Sequence, residues 1–251
     1  MIDEREERRY EEQRRRQIAL RRERMRKKRI RQLRRRACLV VTAAVVIGLS
    51  IHGIRNAKAE QKEEEVVMSY ESKIVTLAPD ILVDLIDINE YSRPGTPLEE
   101  VNGIVVHYTG NPGTTAVQNR SYFQSLAETG ETSASSHYVV GIDGEIIQCV
   151  PCNEIAYASN DRNSDTLSIE CCTPEANGKF TDATYDSLVQ LVCYLMGRYE
   201  LTTDQVIRHY DVTGKECPRY YVKNPEAWEQ FKEDLLTYID TYGIEKKAEI
   251  N

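Results

Sequence analysis

Histidine is scarce in this chain, with four in 251 residues, and one of them (His52) falls in an uncharged apolar run. Any site that needs imidazole must therefore draw on His107, His137 and His209. The cysteines contain a single CxxC, Cys149-Val-Pro-Cys152, and no second one, which excludes a four-cysteine zinc knuckle. There is no internal repeat. Proline and glycine are missing from residues 3–36, and Asp, Glu, Lys and Arg are missing from residues 37–54.

Those two gaps divide the chain. The formal charge of −7 conceals an asymmetry: residues 1–36 hold 17 Lys/Arg against 7 Asp/Glu, and the remainder holds 16 against 33. The basic arm is made of good helix formers, with Glu4–Arg8, Glu11–Arg15 and Glu12–Arg16 spaced four apart, acid first. The uncharged run Ala37–Ile54 has 18 residues, a helix of roughly 27 Å, close to a thin hydrocarbon core. Cations on its N-terminal side predict a single-pass anchor with a cytoplasmic N-terminus and an extracytoplasmic body. The same charge draws the arm to anionic headgroups of the cytoplasmic membrane, and nucleic acid is not an expected partner. The rival is a cleaved export signal, since Ala57-Lys58-Ala59 has small residues at a peptidase-like spacing. Residues 55–78 read as a spacer, and a folded domain is expected over 79–251.

Within that domain, Gly103–Tyr108 is a short apolar run between turn signals, expected as a buried strand ending at His107. A helix follows from Thr115 to about Glu128, with Val117, Tyr122, Phe123 and Leu126 as expected packing residues. Ser136–Gly141 and Ile146–Cys149 read as a hairpin turning at Asp143-Gly144. Thr166–Cys172 is another strand, and Thr181 caps a helix over Asp182–Tyr199 whose apolar face is Leu188, Leu191, Val192 and Leu195. Pro225 opens a last helix to about Tyr242, with Trp228, Phe231, Leu235 and Ile239 inward. Strands interleaved with helices predict an α/β fold: one domain with a central mixed β-sheet flanked by helices.

Ile207-Arg208-His209-Tyr210-Asp211-Val212-Thr213-Gly214-Lys215-Glu216-Cys217-Pro218 sets an imidazole, a carboxylate, an ammonium and a thiol within one turn's reach. Two donors do not close a zinc site, and the strand-end His107 is the natural third. Three protein donors with a fourth position open is the pattern of a catalytic zinc rather than a structural one. Asp211, two residues past His209, is either an imidazole-orienting carboxylate or a turn aspartate. The remaining cysteines (Cys149, Cys152, Cys171, Cys172 and Cys193) read as packing residues, or as disulfides if the body is exported. Cys171 and Cys172, adjacent on a strand, point to opposite faces.

The segments IVVHYTG, SSHYVVGIDGEIIQCVP, TLSIECC and IRHYDVTGKECP, in that order, resemble the zinc-dependent type-2 N-acetylmuramoyl-L-alanine amidases, a family related to the peptidoglycan-recognition proteins. The resemblance implies Zn2+ held by His107, His209 and Cys217, with Lys215 stabilising an oxyanion. Some members carry a tyrosine where this chain has Ser136, so that role is absent. Glu170 occupies the place of a catalytic glutamate used by others and is the expected general base. His137 aligns with a histidine that is not a ligand, leaving it to support a ligand or to pack. The implied activity is cleavage between N-acetylmuramoyl and L-alanine in bacterial peptidoglycan, in membrane-anchored wall remodelling. The alternative is a muropeptide-binding module without catalysis; Cys217, which such relatives typically lack, favours the enzyme.

Overall fold

The computed structural model describes residues 73–246. The basic arm, the expected membrane anchor and most of the expected spacer lie outside these residues, as do positions 247–251. Among the described residues no helix is long and apolar enough to cross a membrane.

Eight strands and five helices run in the order β1 (Lys73–Val75), β2 (Leu82–Val83), β3 (Gly103–Tyr108), α1 (Ala116–Thr129), β4 (Tyr138–Val140), β5 (Ile146–Gln148), β6 (Thr166–Cys171), α2 (Asp182–Tyr199), β7 (Val206–Arg208), α3 (His209–Thr213), α4 (Arg219–Lys223), α5 (Pro225–Tyr242) and β8 (Ile244–Lys246). Six strands form a mixed sheet in the order β2-β5-β4-β6-β3-β7. Only the β4–β5 hairpin is antiparallel, and its turn contains Asp143-Gly144 as expected. β3 and β6 lie in the interior of the sheet and pair in parallel along their whole length. Their near-continuous apolar sequences follow from burial on both faces.

Side-chain alternation along the strands separates two cores. Ile104, Val106, Leu167, Ile169 and Cys171 face the layer of α2 and α5, where Leu188, Leu191, Phe231 and Leu235 complete the packing. Val139, Ile147 and Cys172 face α1, through Ala116 and Phe123. Cys171 and Cys172 therefore do part to opposite faces. α1 begins in a reciprocal cap: the Thr115 hydroxyl accepts the Gln118 N–H at 3.2 Å, and Gln118 Oε1 accepts the Thr115 N–H at 2.9 Å. The cap of α2 is Thr181, whose Oγ1 accepts the Thr184 N–H at 3.0 Å.

Two expectations about this domain need correction. Val117 and Tyr122 are 38% and 41% exposed; the buried stripe of α1 is Ala116, Asn119, Phe123 and Leu126. The expected boundary at Pro79 falls inside the folded unit, because β1 pairs antiparallel with β8, Ile74 opposite Glu245. β1 lies against α2 where Gly197 leaves room: a Cβ there would sit 3.0 Å from Val75 Cα.

Candidate metal and hydrolytic site

The site lies where β3, β6 and β7 end, at the carboxyl edge of three parallel strands, the edge at which open α/β sheets bind ligands. Register brings the groups together. His107 pairs with Glu170 across β3–β6, so their side chains leave the same face. Val106 pairs with Arg208 across β3–β7, so His209, one residue on, comes beside His107. Their ring centroids are 4.6 Å apart at 59°. The chain then turns through α3 and Gly214, which takes φ +76°, and returns Cys217 to the same spot. The Cys217 carbonyl accepts the Tyr210 N–H at 2.8 Å, closing the loop.

His107, His209 and Cys217 are all buried, and one donor atom from each lies within 4.8 Å of the other two. Cys217 Sγ is 3.9 Å from His107 Nδ1. The outer nitrogens are engaged elsewhere: His107 Nε2 meets Ser159 Oγ at 3.1 Å, and His209 Nε2 meets Asn160 Oδ1 at 2.9 Å. Neither Ser159 nor Asn160 was legible as a site residue. The one signal available was an Asn in a Ser/Asn/Asp-rich loop, a residue type that tolerates the left-handed conformation.

Burial, with the neighbouring charges of His209 and Lys215, holds the His107 pKa well below the usual imidazole range. Burial and Lys215 lower that of His209 as well. Both rings are therefore neutral, the form a metal ion requires. Burial and the Glu170 charge push the Cys217 thiol up to about 12; a coordinated cation reverses that order. Burial raises the Glu170 carboxyl to about 7 even though Lys215 opposes it. Glu170 Oε2 is out of contact with solvent and has no hydrogen-bond partner among the described residues. Lys215 itself is exposed.

The other expected residues are placed differently. His137 Nδ1 accepts the Ser168 N–H at 3.0 Å and its Nε2 donates to the Glu154 carbonyl at 2.9 Å, so both nitrogens are consumed by packing around β6. Burial lowers its pKa to about 4. Asp211 does not orient an imidazole: its carboxylate grips Arg208 at 2.7 and 3.0 Å and accepts the Arg208 N–H at 2.8 Å. The Arg208 guanidinium in turn lies over Trp228, 5.6 Å from the ring centre. Ser136, at the tyrosine position, donates to the Tyr138 carbonyl at 2.8 Å. All six cysteines of the described residues are free and buried, so the disulfide alternative does not hold. Cys149 and Cys152 belong to opposite cores, which separates the two thiols of the CxxC.

Sheet topology and donor set together define an α/β domain built around a His–His–Cys cluster with a buried carboxylate alongside. Residues 97–220 match the family model described as N-acetylmuramoyl-L-alanine amidase, and the domain they form belongs to that family. Among similar curated proteins are the N-acetylmuramoyl-L-alanine amidase CwlL of Bacillus licheniformis, 32% identical over 66% of this chain and 49% of its own, and BlyA of Bacillus subtilis, 34% identical over 65% and 48%. The chain thus spans about half the length of the curated relatives it matches. Among solved structures, the catalytic domain of XlyA is 29% identical with a TM-score of 0.53, covering 62% of this chain and 99% of that one.

Proposed function

We propose that the domain hydrolyses the amide between N-acetylmuramoyl and L-alanine in peptidoglycan, using zinc held by His107, His209 and Cys217. The observation that carries this reading is the convergence of those three buried donors beside the unpartnered carboxylate of Glu170. Two neutral imidazoles and a thiol are a borderline-soft set suited to zinc, and three of them leave a position for a reactant. When bound there, the ion supplies Lewis acidity and a more acidic water.

The chain's own groups supply the rest. Glu170, with a carboxyl raised to about 7, is poised to take a proton from water and deliver it to the leaving amine at neutral pH. Lys215 carries the positive charge that favours the oxyanion of the tetrahedral intermediate. Its exposure leaves it free to move onto a substrate. The uncharged run 37–54 supports tethering this activity to the outer face of the cytoplasmic membrane, in wall remodelling.

Digestion of purified peptidoglycan followed by mass spectrometry of the fragments tests this. Free stem peptides beginning at L-alanine are expected, and they should vanish with Cys217→Ser. Binding to peptidoglycan with no release of stem peptide would point instead to a recognition module.

A further inference from the structure

One short segment touches both histidines of the cluster from behind. Ser159 and Asn160 are consecutive, and their side chains meet Nε2 of His107 and Nε2 of His209 at 3.1 and 2.9 Å. The two rings come from different elements, His107 from the end of β3 and His209 from the start of α3, yet one turn reaches both.

That turn is built to hold still. Asn163 Oδ1 accepts the backbone N–H groups of Ala158 and Ser159 at 3.0 and 2.6 Å. Arg162 pairs with Asp165 at 2.7 Å, and the Thr166 hydroxyl donates to the Arg162 carbonyl. Asn160 takes φ +53°, one of two non-glycine residues in the left-handed region among those described; the other, Glu200, ends a helix. Asn160 opens the short 3-10 turn Asn160–Ser164, and a left-handed residue there, rather than at a helix C-terminus, has a conformational cost of the kind that clusters at functional sites. Directly after Asp165 the chain enters β6, which carries Glu170.

We propose that the Ser159–Asn163 turn is a positioning device for both histidine donors. Asn160 offers only a carbonyl oxygen to His209 Nε2, so that nitrogen carries the proton and Nδ1 keeps its lone pair. The Ser159 hydroxyl can accept from His107 Nε2, the arrangement that leaves the lone pair of His107 Nδ1 facing Cys217 Sγ, 3.9 Å away. The turn therefore fixes tautomer and ring plane before any ion arrives. Outer partners of this kind change metal affinity about 10–100-fold. Ser159 and Asn160 are positioning residues; neither touches substrate.

This inference rests on the reading of His107, His209 and Cys217 as zinc donors, and the experiment separates the two. Zinc affinity is measured by chelator competition on wild type, Ser159→Ala, Asn160→Gly and Asn160→Asp. Histidine tautomers are read by 15N NMR on the metal-free proteins. Asn160→Gly keeps the left-handed backbone while removing the acceptor, so a loss there is not a folding effect. The expected result is Nε2–H tautomers at both rings in wild type and affinity losses of about 10–100-fold in Ser159→Ala and Asn160→Gly. Asn160→Asp, which keeps an acceptor, should retain wild-type affinity or exceed it. Zinc binding in those two loss variants within about twofold of wild type overturns the role of the turn. A wild type that binds no zinc overturns the metal reading instead. The turn is then judged on tautomers alone: Nε2–H at both rings upholds it, and Nδ1–H at either sinks it.

Discussion

Glu170→Gln isolates a cost that the fold carries for its chemistry. In the metal-free protein, burial lifts this carboxyl from an ordinary 4.5 to about 7. The folded state therefore holds its proton more tightly than the unfolded chain does. Where native protein binds more protons than unfolded, stability falls as pH rises. The loss begins above the unfolded value, near 4.5, and is complete once pH passes about 7. At 1.36 kcal/mol for each pH unit, that interval amounts to about 3 kcal/mol. Glutamine has no proton to lose, so the variant lacks this slope. Its amide meets the same unpartnered surroundings, which costs about 1–3 kcal/mol at every pH and leaves the slope difference untouched. Denaturant unfolding of chelator-treated wild type and variant, from about pH 4 to pH 8, should show the variant gaining about 3 kcal/mol on wild type over that range. Stem-peptide release should fall by about 10²–10⁴ in the same variant with zinc restored. Two stability curves that run parallel within about 0.5 kcal/mol would refute the argument, because Glu170 would then be no more confined when folded than when unfolded.

Zinc affinity should rise steeply with pH, since binding must displace a proton from a thiol pushed up to about 12. Chelator competition reads this, and a flat profile would remove Cys217 from the donor set. Asp211→Ala frees Arg208 from a partly exposed clasp and should lower stability by about 0.5–1 kcal/mol in a thermal melt. A variant of unchanged stability but reduced zinc affinity would return Asp211 to an orienting role. The native thiols of Cys149, Cys172 and Cys193, raised to about 12 by burial, should resist alkylation at neutral pH until the protein unfolds. Peptide mapping that finds a non-reduced pair would contradict the free-thiol core.

What the sequence made legible depended on whether a feature was local. Thr181 and Asp182–Tyr199 were readable because a cap and an apolar face are written within one helix. His107, His209 and Cys217 were readable as candidates for one cluster because strand ends and turns mark themselves with Gly, Pro and polar residues. The buried face of α1 was half legible: Phe123 and Leu126 are buried as expected, but Asn119, whose amide reaches Cys172 Sγ at 3.4 Å, gave no apolar signal to turn the stripe away from Val117 and Tyr122. Asp211 was left open between two roles, and the turn role is the one found, because its carboxylate meets the N–H and guanidinium of Arg208. Disulfides were weighed on compartment, but the turn after β5 sends Cys149 and Cys152 into opposite cores. Ser159 and Asn160 could not be found from spacing, because a hydrogen bond to the far side of a ring is set only by the assembled fold.

The donor cluster also has a place in time. Cys217 closes the set 110 residues after His107, and at ribosomal rates of about 5–20 residues per second that interval lasts roughly 5–20 s. For most of that period, until His209 emerges shortly before Cys217, His107 stands without either partner of the cluster. A chain released between β7 and Cys217 carries Glu170 and all six strands of the main sheet but lacks the third member of the cluster. Synthesis thus completes the His–His–Cys cluster only when the fold that restrains it is nearly finished.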